Sequence, residues 1–106
     1  MILVTLFVTV SAYSQTASKA DTKTETIKVY GNCGMCKERI EKAAKVDGVS
    51  SAAWNKDSKM LTLVYNPSKV KSDDVLKKIA AVGHDSDRFK ADDKVYNALH
   101  SCCKYR

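Results

Sequence analysis

The chain has 106 residues, 44% of them hydrophobic and 28% charged, with four cysteines and a formal net charge of +6. This composition excludes a disordered chain, and the length leaves room for one small domain only. A core of that size gives just a few kcal/mol of net stability, so a bound metal or a disulfide would matter to the fold as well as to function.

The first stretch, "MILVTLFVTVSAYSQ", carries no charged side chain and is apolar from Ile2 to Val10. It reads as the apolar region of a secretory signal peptide over residues 1–14, cut before Gln15, although no Lys or Arg precedes it. The run is shorter than the roughly 20 apolar residues a membrane span needs. A polar linker over residues 15–23 follows. Export would place all four cysteines in an oxidising compartment, periplasmic or secreted, where they allow three full disulfide pairings.

"TETIKVYG" alternates as a strand, with Ile27 and Val29 on one face. Gly31 and Gly34 bracket a loop. "CKERIEKAAKV" puts Cys36, Ile40, Ala43 and Ala44 on one helical stripe, and Asp47-Gly48 ends it. "VSSAAWN" is a weaker strand, "KDS" a hairpin turn and "KMLTLVYN" a strong strand. Asn66-Pro67-Ser68 breaks that strand. Ser72 is the expected N-cap of a helix, with Asp73 and Asp74 at its positive start and Val75, Leu76, Ile79 and Val82 on its inner face. Gly83 stops this helix, and "HDSDRFKA" is expected to form a fourth strand. A last short helix over residues 92–100, with Val95 and Leu99 inward, leads to Cys102-Cys103.

The order β-α-β-β-α-β predicts an α+β, ferredoxin-like βαββαβ sandwich with both helices on one face of an antiparallel sheet and a short C-terminal helical extension. The domain would span residues 24–90 and the tail residues 91–106. Three loops then share one end of the sheet: the first carries Cys33 and Cys36, the second Lys56-Asp57-Ser58 and the third His84.

A Cys-x-x-Cys at a loop–helix junction brings two sulfurs to one point, and the helix start stabilises a thiolate at Cys36. That serves a metal ligand and a redox nucleophile equally. The only proline, Pro67, lies at the opposite end of the domain, whereas a thioredoxin-type site needs one facing its disulfide. Closed zinc needs four ligands. Two thiolates suit a soft, low-coordinate ion: Cu(I) first, Hg(II) by the same softness, with Zn(II) third. The basic residues (Lys37, Arg39, Lys42, Lys45, Lys69, Lys71, Lys77 and Lys78) are scattered over helix faces without the interleaved aromatics of an RNA-binding sheet. They read as a solvated face or as a docking surface for an acidic partner domain, with no nucleic acid involved.

The stretch from "IKVYGNCGMCKERIEKAAKVDGV" through "VYNPSKV" to "AVGHD" resembles the heavy-metal-associated domain family of copper chaperones, metal-pumping ATPase modules and periplasmic mercury-binding proteins. The likeness covers roughly residues 25–90. It implies that Cys33 and Cys36 are the metal-binding thiolates, and that the partner is a metal-transporting membrane protein or another metal-binding domain. The chain departs from the family in having Tyr30-Gly31-Asn32 where Gly-Met-Thr is usual, so the packing methionine is missing and Met35 sits between the cysteines. Met35 and His84 are candidate secondary ligands, as well as a packing or solvent-facing methionine and an exposed loop histidine.

A helix over residues 92–100 rises about 13 Å, enough to return Cys102 and Cys103 toward Cys33 and Cys36. The pair is read equally as extra ligands and as disulfide partners. The expected function is capture and transfer of a soft ion by thiolate exchange, without catalysis. The alternatives are a periplasmic thiol-disulfide oxidoreductase using Cys33 and Cys36, and a disulfide-stapled structural domain.

Overall fold

The computed structural model describes residues 22–106. The expected signal peptide and most of the expected linker lie outside the described residues. Strand β1 (Lys23–Lys28) begins inside the stretch read as linker. It is followed by α1 (Gly34–Ala44), β2 (Val49–Trp54), β3 (Met60–Tyr65), α2 (Ser72–Ala81), α3 (Asp93–Asn97) and a 3-10 turn at Ser101–Cys103.

The sheet order is β1-β3-β2, with both pairings antiparallel. The most apolar strand is therefore central. Ile27 and Trp54 both sit opposite Leu61, one from each neighbouring strand. The period-2 alternation sends Ile27, Ala52, Trp54, Leu61, Leu63 and Tyr65 to one buried face. Helix α1 adds Cys36, Ile40 and Ala44 to that layer, and α2 adds Val75, Leu76 and Ile79. Each such Leu or Ile is worth about 1.5–3 kcal/mol of burial. The architecture is the expected α+β ferredoxin-like sandwich.

Three local expectations change. The fourth strand is reduced to a single bridge between Val29 and Ser86. Its side chains compete with the ladder: Ser86 Oγ accepts the N–H groups of Arg88 and Phe89, and the Asp85 carboxylate accepts that of Ala91. The chain turns instead of extending. Second, Ser72 is the first residue of α2 and its cap is Lys71, without a side-chain cap bond. The Ser72 hydroxyl takes a hydrogen bond from Arg88, whose guanidinium also binds Asp73 and Glu25. Third, α3 stops at Asn97, and Tyr96, not Val95, is its buried residue, with Leu99 buried just beyond it.

Gly83 adopts φ +107°, and a Cβ there would lie 2.9 Å from Leu99 Cδ2. The left-handed exit from α2 and the close approach of the tail both require glycine at this point.

Candidate metal centre

Cys33 caps α1 in extended backbone conformation, and its carbonyl accepts the N–H groups of Cys36 and Lys37. The loop before it is seated on Trp54. The indole is buried and its Nε1–H donates to Val29 O at 2.9 Å. Glu41 accepts the Trp54 backbone N–H and the Lys37 ammonium, tying α1 to the end of β2. A Cβ on Gly31 would stand 3.0 Å from Cys36 Cβ and 3.1 Å from the indole ring. Trp54 thus fills the space beneath the loop, and the residue at 31 has to be small. Sequence reasoning missed Trp54; its one signal was a large aromatic at the end of a weak strand facing the same end of the sheet.

The tail returns to this loop. Cys33 Sγ lies 3.5 Å from Cys36 Sγ, 3.4 Å from Cys103 Sγ and 3.5 Å from Cys102 Sγ. All four cysteines are free thiols. The sulfurs of Cys33, Cys36 and Cys103 all lie within 4.8 Å of one another, and Cys102 is not part of that group. Cys36 and Cys103 are fully buried, whereas Cys102 is exposed. Around an ion with metal–sulfur bonds near 2.3 Å, three trigonal sulfurs stand about 4.0 Å apart, so small side-chain movements would open this cluster to hold one. The donor set is entirely sulfur, as soft monovalent copper and mercury prefer.

Met35 is 44% exposed, and its Sδ accepts a contact from Cys102 Sγ at 3.8 Å. His84 is neither an exposed loop histidine nor a member of the sulfur group. It is fully buried, with Nδ1 2.8 Å from Tyr30 O and its ring stacked on Tyr105. Burial holds its pKa below the usual value. The neutral ring donates from Nδ1 and supports the loop backbone, while Nε2 is buried without a hydrogen-bond partner.

The electrostatics single out Cys33. Burial pushes its thiol up. The Cys36 backbone N–H and the neighbouring thiols of Cys103, Cys102 and Cys36 outweigh burial and bring it down to about 6. Cys103 moves the other way, raised by burial and by its contacts with Cys36 and Cys33, although Arg39 donates to its sulfur at 3.7 Å. Contact with Cys33 also raises Cys102. Cys33 is thus favoured as a thiolate, while Cys102 and Cys103 are held toward the thiol.

The last residues fasten the tail. Arg106 pairs with Asp85 and Asp93, donates to Ala91 O and lies over the Tyr96 ring. Tyr105 packs against Tyr30, His84 and Tyr96, donates to Gly83 O and accepts the Asp85 N–H. Asn32 reaches across from the metal loop to Lys104 O at 2.9 Å. Sequence reasoning placed the cysteines of the tail but not this clamp, whose only trace was the run Lys104-Tyr105-Arg106 after them.

A ferredoxin-like sheet with a Cys-x-x-Cys at the start of its first helix defines a class of small thiolate-bearing domains. Over 61 residues the chain is 41% identical to the copper chaperone CopZ of Staphylococcus epidermidis, matching 56% of this chain and 90% of that protein. It is 32% identical over 91 residues to a copper-exporting P-type ATPase of Staphylococcus saprophyticus. That match takes in 71% of this chain but only 12% of the ATPase. The solved structure of a CopZ metallochaperone superposes with a TM-score of 0.58 at 33% identity, covering 60% of this chain and 98% of that one. No family model matches the sequence. With the chaperone matched almost end to end, the chain belongs to the heavy-metal-associated domain family.

Proposed function

We propose that this protein captures a soft metal ion, Cu(I) in the first place, with Cys33, Cys36 and Cys103, and passes it on by thiolate exchange. The observation that carries the reading is the group of three sulfurs within 4.8 Å of one another, two of them buried, at the start of α1. The Cys33 thiolate gives an incoming ion a charged first ligand, and Cys103, whose thiol is raised, gives up its proton as it closes on the ion. Release reverses this order, with the thiolates of a second metal-binding domain or a metal-transporting membrane protein replacing these sulfurs in turn. The copper chaperone and copper-ATPase relatives support copper as cargo and a transporter as recipient. Hg(II) suits the same sulfurs by its softness, and Zn(II) ranks below both because a closed zinc site needs a fourth ligand. No bond is made or broken in a substrate, so the role is carriage rather than catalysis. Among the described residues no helix is long and apolar enough to cross a membrane. The export reading rests on the apolar stretch Ile2 to Val10 alone.

The test is titration of the fully reduced protein with Cu(I), Hg(II) and Zn(II) against competing chelators, alongside the C33S/C36S double variant. Tight Cu(I) binding lost in the variant is the expected result, and no binding by the reduced wild type would end the proposal. A second reading, dithiol–disulfide exchange, is favoured by the lowered Cys33 thiol next to Cys36. It predicts turnover of a disulfide substrate by the metal-free protein.

A further inference from the structure

The sulfurs at this end of the molecule are not arranged as one four-sulfur cage. Cys33 is the centre of the group, in contact with Cys36, Cys103 and Cys102. On its inner side stand Cys36 and Cys103, both fully buried. On its outer side stand Cys102, which is exposed, and Met35, 44% exposed, with their sulfurs 3.8 Å apart. Cys102 touches Cys33, Cys103 and Met35, and falls outside the compact group that includes Cys36. A single tetrahedral ion would need all four cysteine sulfurs about 3.8 Å apart in every pair, given metal–sulfur bonds near 2.3 Å. What the chain offers instead is two sets of three sulfurs that share one member.

We propose that the protein holds two soft monovalent ions per chain, an inner one on Cys33, Cys36 and Cys103 and an outer one on Cys33, Cys102 and the Met35 thioether, with Cys33 bridging them. A thiolate sulfur keeps lone pairs after binding one metal, which is why thiolates build clusters and not only single-ion sites. Cys33, 3.5 Å from Cys36 on one side and 3.5 Å from Cys102 on the other, is placed to use a second pair. The thioether is a weak, neutral donor, so the outer ion is held more loosely and faces solvent. It is the ion that a partner's thiolates reach first, while the inner ion stays enclosed. The tail that brings Cys102 and Cys103 to the site is pinned by Arg106, Tyr105 and Asn32, so both positions are set before metal arrives.

The inference rests on the metal-capture reading above, and the test separates the two. Reduced protein is titrated with Cu(I) without oxygen and its monomer weighed by native mass spectrometry. The wild-type monomer is expected to take one ion and then a second, with a short copper–copper path appearing in X-ray absorption at the second step. The C102S/M35L double variant changes only exposed side chains; unchanged far-ultraviolet circular dichroism will verify its fold. It is expected to keep the first ion and lose the second, and C33S is expected to lose the copper–copper path. A wild-type monomer that stops at one ion would overturn the second position and leave the capture reading standing. Two ions retained by the double variant, or a second ion taken up only in a dimer of two chains, would overturn it as well. A monomer that takes none would end both.

Discussion

Cys33 Sγ and Cys103 Sγ lie 3.4 Å apart although 70 positions separate them in the chain. One belongs to the loop that starts α1 and the other to the tail that follows the domain. Their meeting makes the site a three-sulfur group, where the family motif by itself supplies two.

Replacing Cys103 with serine removes a buried sulfur of the proposed ligand set while leaving Cys33 and Cys36 in place. Loss of an outer-shell partner alone costs a metal site about 10–100-fold in affinity, and loss of a direct ligand is expected to cost at least that. Chelator competition with Cu(I) measures it. Unchanged affinity would show that the tail does not ligate.

The Cys33 thiol, brought down to about 6, makes the metal-free protein react with alkylating agents in a pH-dependent way. The thiolate is the reactive form. Alkylation of Cys33 is expected to rise with pH through a midpoint near 6 and to slow below it. In the C102S/C103S variant two of the stabilising contacts are gone, so the midpoint should move up toward the ordinary cysteine value of 9.0. Peptide-resolved mass spectrometry across the pH range reads both.

Gly31→Met restores the residue that the family usually carries there, and here it should be harmful. Its Cβ would already stand 3.0 Å from Cys36 Cβ and 3.1 Å from Trp54. Overpacking of this kind costs about 1–3 kcal/mol. Urea denaturation should show the loss, and it should shrink when Trp54 is replaced by a smaller apolar residue in the same chain.

Arg106→Ala removes the paired hydrogen bonds to Asp85, the ion pair with Asp93 and the contact over Tyr96. Hydrogen bonds to charged groups are worth about 1.5–3 kcal/mol each, with the lower end fitting a guanidinium still 23% exposed. The expected outcome is faster hydrogen exchange over residues 101–106 and weaker metal binding, with the sheet unaffected. Exchange unchanged in the tail would mean that Tyr105 and Asn32 suffice to hold it.

His84 adds an acid limit. Its folded pKa lies below the usual 6.5, so the unfolded chain binds this proton more readily than the folded one. The stability contributed by the buried neutral ring is complete above 6.5 and is lost as pH falls through the folded value. Urea midpoints measured from pH 7.5 downward should fall in the wild type. In His84→Gln the part of that decline beginning near 6.5 should disappear.

The element order through α2, the inner faces of β3 and α2 and the position of Cys33 and Cys36 were legible in the chain, because they depend on local periodicity and on short spacings. Alternation over Leu61, Leu63 and Tyr65 decides which side of a strand is apolar whatever surrounds it. The loss of a fourth strand was not legible. It turns on side-chain bonds by Ser86 and Asp85 that compete with pairing, and propensity does not weigh that competition. Nor was the role of Gly31, which is explained only by an indole 23 positions further on: the ring of Trp54 occupies the space where the family's methionine would pack.

By itself, then, the sequence determined that a Cys-x-x-Cys stands at the start of the first helix in a βαββα order, and that two more thiols follow at positions 102 and 103. Tertiary structure alone decided which of those thiols is buried against Cys33 and Cys36 and which is turned outward with Met35. That choice depends on how Arg106, Tyr105 and Asn32 dock the tail, through contacts between residues far apart in the chain. Such contacts have no spacing to read, because the folded packing that brings them together also selects them.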